Sequence, residues 1–167
     1  YDPEQTINYV AAHDNLCAFD KIRWSMQPLE LAYAKRVVMF EHAMLLTAQG
    51  IPFIHGGDDI LRTKFTNIAW GTLIQDGTDA LHWAQDSNDD GKGGDETNKI
   101  RWQWKKDNVD VFNYIKALIA MRKNHSGFRM NNWDEVNNYV HTEVMTEKVL
   151  VTSIDAGANG DSWNKII

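Results

Sequence analysis

Cysteine, long apolar runs and clusters of basic residues are all scarce in this sequence. The single cysteine, Cys17, excludes an internal disulfide framework. No apolar run reaches the roughly 18–20 residues that a membrane-spanning helix needs, so we expect no membrane partner. The 17 basic and 23 acidic residues give a net charge of −6, and no lysine/arginine run is present. Nucleic acid is therefore a poor candidate for a partner.

Aromatic residues, in contrast, are abundant: seven tryptophans and five tyrosines occur in 167 residues. Aromatic planes stack on the apolar faces of sugar rings, so this content suits a carbohydrate site. Ordinary packing also uses aromatic side chains, and most of these residues are expected to serve packing.

The stretch from Ile7 to Asn15 carries the strongest functional signal. Apolar, β-prone residues lead into two alanines and then into His13, Asp14 and Asn15. This order is typical of a buried parallel strand whose polar groups emerge at its carboxyl end. Taken alone, the pattern also fits a strand followed by a polar turn.

A second strand is predicted after a helix-length segment. The apolar spacing predicts a helix over Leu29–Gln49, with Gly50 at the position where a left-handed residue ends a helix. His42 lies inside this helix and is expected to be structural. Ile51–Ile54 then reads as a strand, followed by the sharp turn that Gly56–Gly57 permits. Strand, helix and strand in this order predict an α/β fold of the barrel type.

Four segments carry a resemblance to a known family: YVAAHDN, LLTAQGIPFIHGGDDILRTK, GDETNKIRW and VFNYIKALIAMRKNHSGFRM. In this order they resemble type I pullulanases, which are starch-debranching glycoside hydrolases of the α-amylase superfamily. The resemblance runs from about Ile7 to the C-terminus and is interrupted by a divergent insert.

The resemblance implies an architecture. A complete (β/α)8 barrel needs about 250 residues, so we expect this chain to be a piece of a larger protein. The resemblance assigns residues 1–127 to the last strand–helix units of the (β/α)8 TIM barrel, with an inserted loop at about 66–98. Residues 128–167 would begin an antiparallel β-sandwich. The pattern predicts a helix over Val109–Arg122 and strands over 138–142, 149–154 and 163–167.

The same resemblance implies a chemistry. Retaining glycosidases use a nucleophilic carboxylate and a carboxylic acid about 5–5.5 Å apart. The α-amylase superfamily adds a third carboxylate, which stabilises the transition state, and this role falls on Asp14. His13 would donate a hydrogen bond to a sugar hydroxyl. No segment of this chain corresponds to the strands that carry the nucleophile and the acid, so the chain alone is expected to be inactive.

Further substrate contacts are implied at Asn15, Arg62, Asp95 and Asn98. The last two match a D-x-x-N-x-I-x-W segment that lies near the glucan in the family, although a surface turn is the alternative. The sequence departs from the family pattern nearby, because Gly91 stands where a stacking tyrosine is usual and Arg101 stands where aspartate is usual. Two aspartates, at 58 and 59, replace the usual longer acids.

Residues 86–91 have the D-x-N-x-D-G pattern of calcium loops, with Asp86, Asn88 and Asp90 as candidate ligands. The twelfth position is Thr97, and the expected glutamate occurs one place early, so a solvated turn is the alternative. No cofactor is required by the chemistry above, and calcium is the one candidate ion.

Three functions stay open at this stage. The chain could belong to a pullulanase-type enzyme, to an amylase or isoamylase relative acting on other α-glucans, or to a non-catalytic glucan- or calcium-binding module. The expected partners are an α-glucan such as pullulan or amylopectin and the rest of the barrel. A secreted or cell-surface location is favoured over a cytoplasmic one.

Overall fold

The computed structural model describes residues 2–12, 16–26, 30–64 and 98–167. Contacts divide the chain into two compact units. Unit 1 comprises residues 1–8, 44–53 and 116–167, and unit 2 comprises residues 9–43 and 54–115. Within the described ranges no helix is long and apolar enough to cross a membrane.

Helices and strands are both present, as expected for an α/β chain. The helices are α1 (Ala18–Ser25), α2 (Leu31–Thr47), α3 (Gln103–Asp107), α4 (Val109–Asn124) and α5 (Trp133–Tyr139). The strands are β1 (Ile7–Asn8), β2 (Ile51–Pro52), β3 (Val140–Thr146) and β4 (Val149–Ile154). Short 3-10 turns occur at Pro3–Gln5, Asp58–Ile60, Ser126–Phe128 and Ala156–Asn159.

In unit 1, β1 and β2 pair in parallel. Ile7 lies opposite Ile51, and the Ile51 and Phe53 amides donate to the Thr6 and Asn8 carbonyl oxygens at 2.8 Å each. Both strands occur where the sequence predicts them, but each is only two residues long. The prediction of a buried first strand is not met, because Ile7 is 61% exposed. Because the strands are parallel, their carboxyl ends lie at the same edge of the pair.

Helix α2 confirms the prediction from apolar spacing. Ala34, Val38 and His42 are fully buried, one helical turn apart. The His42 Nδ1–H donates to the Val38 carbonyl oxygen at 2.8 Å, and burial lowers the pKa of the imidazole. The ring is therefore neutral and structural, as expected. Phe40 and Met44 are 63% and 58% exposed, so the apolar stripe is covered less widely than the sequence suggests.

The end of α2 is fixed by Gly50 and Arg122, both in unit 1. Gly50 has a φ of +94°, and a Cβ there would lie 2.9 Å from Asn8 Nδ2 and 3.0 Å from the Thr6 oxygen. A side chain at this position is thus excluded by both conformation and space. Gly50 has the left-handed conformation that the sequence predicts, but the helix ends at Thr47, two residues before the predicted Gln49.

Arg122 comes from α4 and closes the same helix end. Its guanidinium donates to the carbonyl oxygens of Leu46 at 3.0 Å, Ala48 at 2.6 Å and Gly50 at 2.6 Å. These oxygens lack helical partners, so one buried side chain, 6% exposed, satisfies three acceptors. Elsewhere on α4, Val111 and Ile115 are buried as predicted, whereas Ile119 is 38% exposed.

The C-terminal part of unit 1 differs from its predicted all-strand form. Helix α5 occupies residues 133–139, so the strand predicted from 138 begins at Val140 instead. The Asn132 side chain accepts from the Glu135 amide at 2.9 Å and caps the helix. An asparagine followed three residues later by glutamate is a helix-start signal that was visible in the sequence.

Strands β3 and β4 form an antiparallel hairpin, with Val140 opposite Ile154 and an irregularity between Val144 and Thr146. The third predicted strand, 163–167, is reduced to a single bridge between Ile154 and Ile166. Below the hairpin, the buried cluster of unit 1 consists of Phe128, Met130, Ile154 and Ala156.

Asp161 explains why the last segment does not extend along the hairpin. Its carboxylate accepts from His125 Nδ1 at 2.8 Å, the Gly127 amide at 3.0 Å and the Trp163 amide at 2.9 Å. The indole of Trp163 stacks on His125 with ring centroids 3.5 Å apart. Burial raises the pKa of Asp161, but the three donors more than offset this and hold it well below its usual range.

Replacing Asp161 with asparagine should lower the stability of the chain at pH 7 by about 2 kcal/mol, since hydrogen bonds to a charged acceptor are lost. Because the native pKa is depressed, this stability is present above the unfolded pKa and is lost as pH falls through the native one. In urea titrations the gap between wild type and Asp161→Asn should shrink from pH 7 to pH 3. Asp155→Asn, an exposed aspartate of the same unit, is the matched control and should change little.

Candidate functional site

The chain that follows Asn15 is tightly packed in unit 2. Leu16 and Cys17 are 0% exposed, and Ala18 and Phe19 are 2% and 5% exposed. Cys17 is the N-cap of α1, and its carbonyl oxygen accepts the first helical bond from the Lys21 amide at 3.0 Å. His13, Asp14 and Asn15 themselves lie outside the described residues. The two residues that follow them, Leu16 and Cys17, are buried.

Asp20 links α1 to the end of the second motif. Its carboxylate, 0% exposed, accepts from Thr63 Oγ1 at 2.5 Å and from the Lys64 amide at 2.9 Å. Burial raises the pKa of Asp20 to about 6, and the amides of Lys64 and Cys17 partly offset this rise. The two motif segments are therefore joined by a buried acid.

A tight turn carries the second motif. Gly57 has a φ of +98° and Leu61 a φ of +59°, so left-handed residues flank the 3-10 turn Asp58–Ile60 on both sides. The Arg62 amide closes the turn by donating to the Gly57 carbonyl oxygen at 2.9 Å. A Cβ on Gly57 would lie 2.8 Å from Arg62 Cβ. Glycine is required here because its hydrogen lets the Arg62 side chain fold back over the turn.

Arg62 is 8% exposed and is the hub of this turn. Its guanidinium donates to His55 Nε2 at 3.1 Å, to the Gly56 carbonyl oxygen at 3.1 Å and to the Asn98 carbonyl oxygen. Two residues predicted as glucan contacts, Arg62 and Asn98, are thus brought together. The guanidinium holds the backbone of this region, and a direct contact of either residue with a glucan stays a prediction.

Cys17, His55 and Asp58 meet in the same buried region, with candidate ligand atoms within 4.8 Å of one another. A guanidinium only donates, so the bond from Arg62 makes His55 Nε2 the acceptor and places the ring proton on Nδ1. That nitrogen lies 3.8 Å from Asp58 Oδ1. A metal ligated through Nδ1 would have to displace this proton while Arg62 still occupies the other nitrogen. The three residues therefore fit a metal ion poorly.

Charge in this cluster is suppressed by burial. Burial, together with the nearby acids Asp20 and Asp58, raises the pKa of the Cys17 thiol to about 12, so the thiol is neutral and unreactive. Burial also raises the pKa of Asp58 to about 7, while the Ala18 amide and Arg62 partly lower it. Cys17 is thus a packing residue.

Several predicted residues lie outside the described part of the chain. These are His13, Asp14 and Asn15, the glucan candidate Asp95, and the candidate calcium ligands Asp86, Asn88 and Asp90. Their roles stay predictions. Asp20 is the residue that sequence reasoning missed, because a single aspartate in the first turn of a helix carries no sign of a partner 43 residues away.

No protein-family model matches the chain. The pullulanase of Bacillus subtilis (strain 168) is 26% identical over 166 residues, which cover 99% of this chain and 20% of that protein. Pullulanase A of Streptococcus pneumoniae is 34% identical over 196 residues, covering 96% of this chain and 15% of the relative. Among solved structures, the pullulanase from Bacillus acidopullulyticus superposes with a TM-score of 0.81 at 30% identity, over 98% of this chain and 18% of that one.

The chain is pullulanase-like. This agrees with the resemblance carried by its four motifs. The pullulanase-like sequence spans about a fifth or less of the curated relatives it matches. A Paenibacillus barengoltzii pullulanase, with a TM-score of 0.79 at 28% identity, was crystallised with maltohexaose and alpha-cyclodextrin. It matches 98% of this chain, which covers 22% of that structure.

Proposed function

We propose that this chain is part of a retaining glycoside hydrolase that cleaves α-1,6 branch linkages in pullulan- and starch-type α-glucans. It supplies the transition-state-stabilising carboxylate, Asp14, and the hydrogen-bonding imidazole, His13. Asn15, Arg62, Asp95 and Asn98 serve glucan binding. The nucleophile and general acid come from barrel strands outside residues 1–167.

The chemistry assigned to Asp14 follows from how charge develops during cleavage. A carboxylate elsewhere in the barrel attacks the anomeric carbon, and an acid protonates the leaving oxygen while positive charge builds up on the sugar ring. Asp14 accepts hydrogen bonds from hydroxyls beside the reacting carbon, and His13 donates one. These bonds strengthen as the charge develops, so they lower the barrier more than they tighten ground-state binding.

The proposal rests on the hydrogen bonds that join the chain after Asn15 to the end of the second motif. The backbone leaving Asn15 is joined through Asp20 to Thr63 and Lys64. Arg62 then joins the same turn to Asn98, which lies in the third motif. Helix α1, which follows the first motif, is therefore joined to the end of the second motif, and the second motif is joined to the third, within unit 2. The pullulanase relatives, including one crystallised with maltohexaose, support a glucan as the substrate.

The proposal predicts that the purified 167-residue chain does not hydrolyse pullulan. Activity is expected in a chimeric enzyme in which residues 1–167 replace the matching segment of a pullulanase of known structure. Release of reducing ends from pullulan measures both, and linkage analysis of the products identifies the bond cleaved. Cleavage at α-1,6 bonds that disappears in Asp14→Asn supports the proposal.

Two results would contradict it. One is measurable hydrolysis by the isolated chain, which has no counterpart of the nucleophile strand. The other is a chimera that melts cooperatively yet either lacks activity or keeps full activity after Asp14→Asn. Products cleaved only at α-1,4 bonds would instead favour the amylase alternative.

A further inference from the structure

We propose that Asp20 is a positioning residue that holds the first turn of α1, which begins shortly after the proposed site residues His13 and Asp14, against the segment that carries Arg62. This inference rests on the proposed function. In this proposal Asp20 does not contact the substrate. It acts by fixing the backbone of the two segments that its carboxylate joins.

The geometry ties Asp20 to two segments. It lies in the first turn of α1, whose N-cap Cys17 is three residues beyond Asp14. On the far segment, Thr63 Oγ1 and the Lys64 amide donate to the two carboxylate oxygens of Asp20. Thr63 and Lys64 directly follow Arg62. A single side chain therefore sets the spacing between the residues after Asn15 and the residues after Arg62.

The hydrogen bonds between Asp20 and the far segment are shielded from water. Asp20 and Lys64 are 0% and 2% exposed, so water does not replace a lost partner. Removing the carboxylate leaves the Lys64 amide, a buried donor, without its acceptor, and the segments must shift to satisfy it. A shift of about 1 Å at a reacting centre can reduce turnover about 100-fold.

The chain offers closely matched variants. Asp20→Asn keeps the shape and one acceptor oxygen but loses the charge, whereas Asp20→Ala loses every bond. Thr63→Val removes the hydroxyl at nearly constant shape, and Thr63→Ser restores it. Because Asp20 and Thr63 share one hydrogen bond, the effects of Asp20→Asn and Thr63→Val should be non-additive.

The test is steady-state kinetics of the chimeric enzyme on pullulan, with melting temperatures recorded for each variant. We expect Asp20→Asn and Thr63→Val to lower kcat about 10-fold, and Asp20→Ala about 100-fold, while KM changes less than about threefold. Thr63→Ser should stay within about twofold of wild type. Asp161→Asn, which should lose stability without removing any hydrogen bond of Asp20, should keep its kcat at temperatures below its melting transition.

The outcomes separate the two proposals. If Asp20→Asn and Thr63→Val keep wild-type kcat while only their melting temperatures fall, Asp20 is structural and the positioning role is wrong. If Asp20→Ala does not fold, the Thr63→Val and Thr63→Ser pair decides the question alone. A folded wild-type chimera without Asp14-dependent activity overturns the proposed function, and this inference falls with it.

Discussion

Replacing Asp14 with asparagine in the chimeric enzyme is expected to lower kcat on pullulan about 1,000-fold, the magnitude typical of losing one preorganised transition-state contact. The amide keeps the size of the side chain but loses the charge that faces the developing positive ring. KM should change less than about threefold, since the lost interaction belongs to the transition state. Initial rates over a range of pullulan concentrations measure both constants.

Asp110→Asn is the matched control for this variant. It makes the same chemical change at an exposed carboxylate, which is 55% exposed and pairs with Lys35 at 3.0 Å. A surface ion pair contributes about 0–1 kcal/mol to stability and nothing to the proposed chemistry. Its kcat should equal that of wild type. Equal activity of the Asp14 and Asp110 variants would remove Asp14 from the mechanism.

Replacing Arg122 with alanine is expected to destabilise the 167-residue chain by about 4 kcal/mol, the largest stability loss anticipated here. The substitution strips three carbonyl oxygens at the end of α2 of their donors and leaves a gap beside them. Urea unfolding at pH 7 measures the change. Arg122→Lys should recover part of the loss, because an ammonium group cannot reach all three oxygens in the planar geometry of a guanidinium.

The neighbouring Lys123 supplies the control for helix propensity and charge. Its side chain is exposed on the same helix, so Lys123→Ala should stay within about 0.5 kcal/mol of wild type. If the free energy of unfolding of Arg122→Ala lies within about 1 kcal/mol of the wild-type value, water replaces the three hydrogen bonds and Arg122 is not needed for stability.

The parts of the fold that depend on local spacing could be predicted from the sequence. Helix α2 follows from apolar periodicity, and the left-handed turn at Gly50, three residues beyond its last residue Thr47, follows from a residue that tolerates positive φ. Helix α5 was missed even though Asn132 and Glu135 form a recognisable start, because the alternating apolar residues around them outweighed the cap. The strands predicted at 51–54 and 163–167 are shorter in the structure, because pairing depends on partners that periodicity does not specify. Strand β3 is longer than predicted, and β4 has its predicted bounds.

The parts that depend on distant partners could not be predicted. Arg122 reaches carbonyl oxygens 72 to 76 residues earlier in the chain, and nothing local distinguishes it from Lys123 beside it. The hydrogen bonds of Asp20 depend on distant residues in the same way. The orientation of His55 depends on the folded turn that carries Arg62. For the site, the motifs predict His13, Asp14, Arg62 and Asn98, whereas the hydrogen bonds of Asp20 and Arg62 appear only in three dimensions.

The central claim is that the histidine–aspartate pair forms the sugar-cleaving rim of the site. A crystal structure of the Asp14→Asn chimera with maltotetraose tests it most directly. We expect the residue 14 amide and the His13 imidazole to lie about 3 Å from hydroxyls of the sugar at the cleaved bond. A glucan bound in the barrel with both side chains turned away from it would contradict the account.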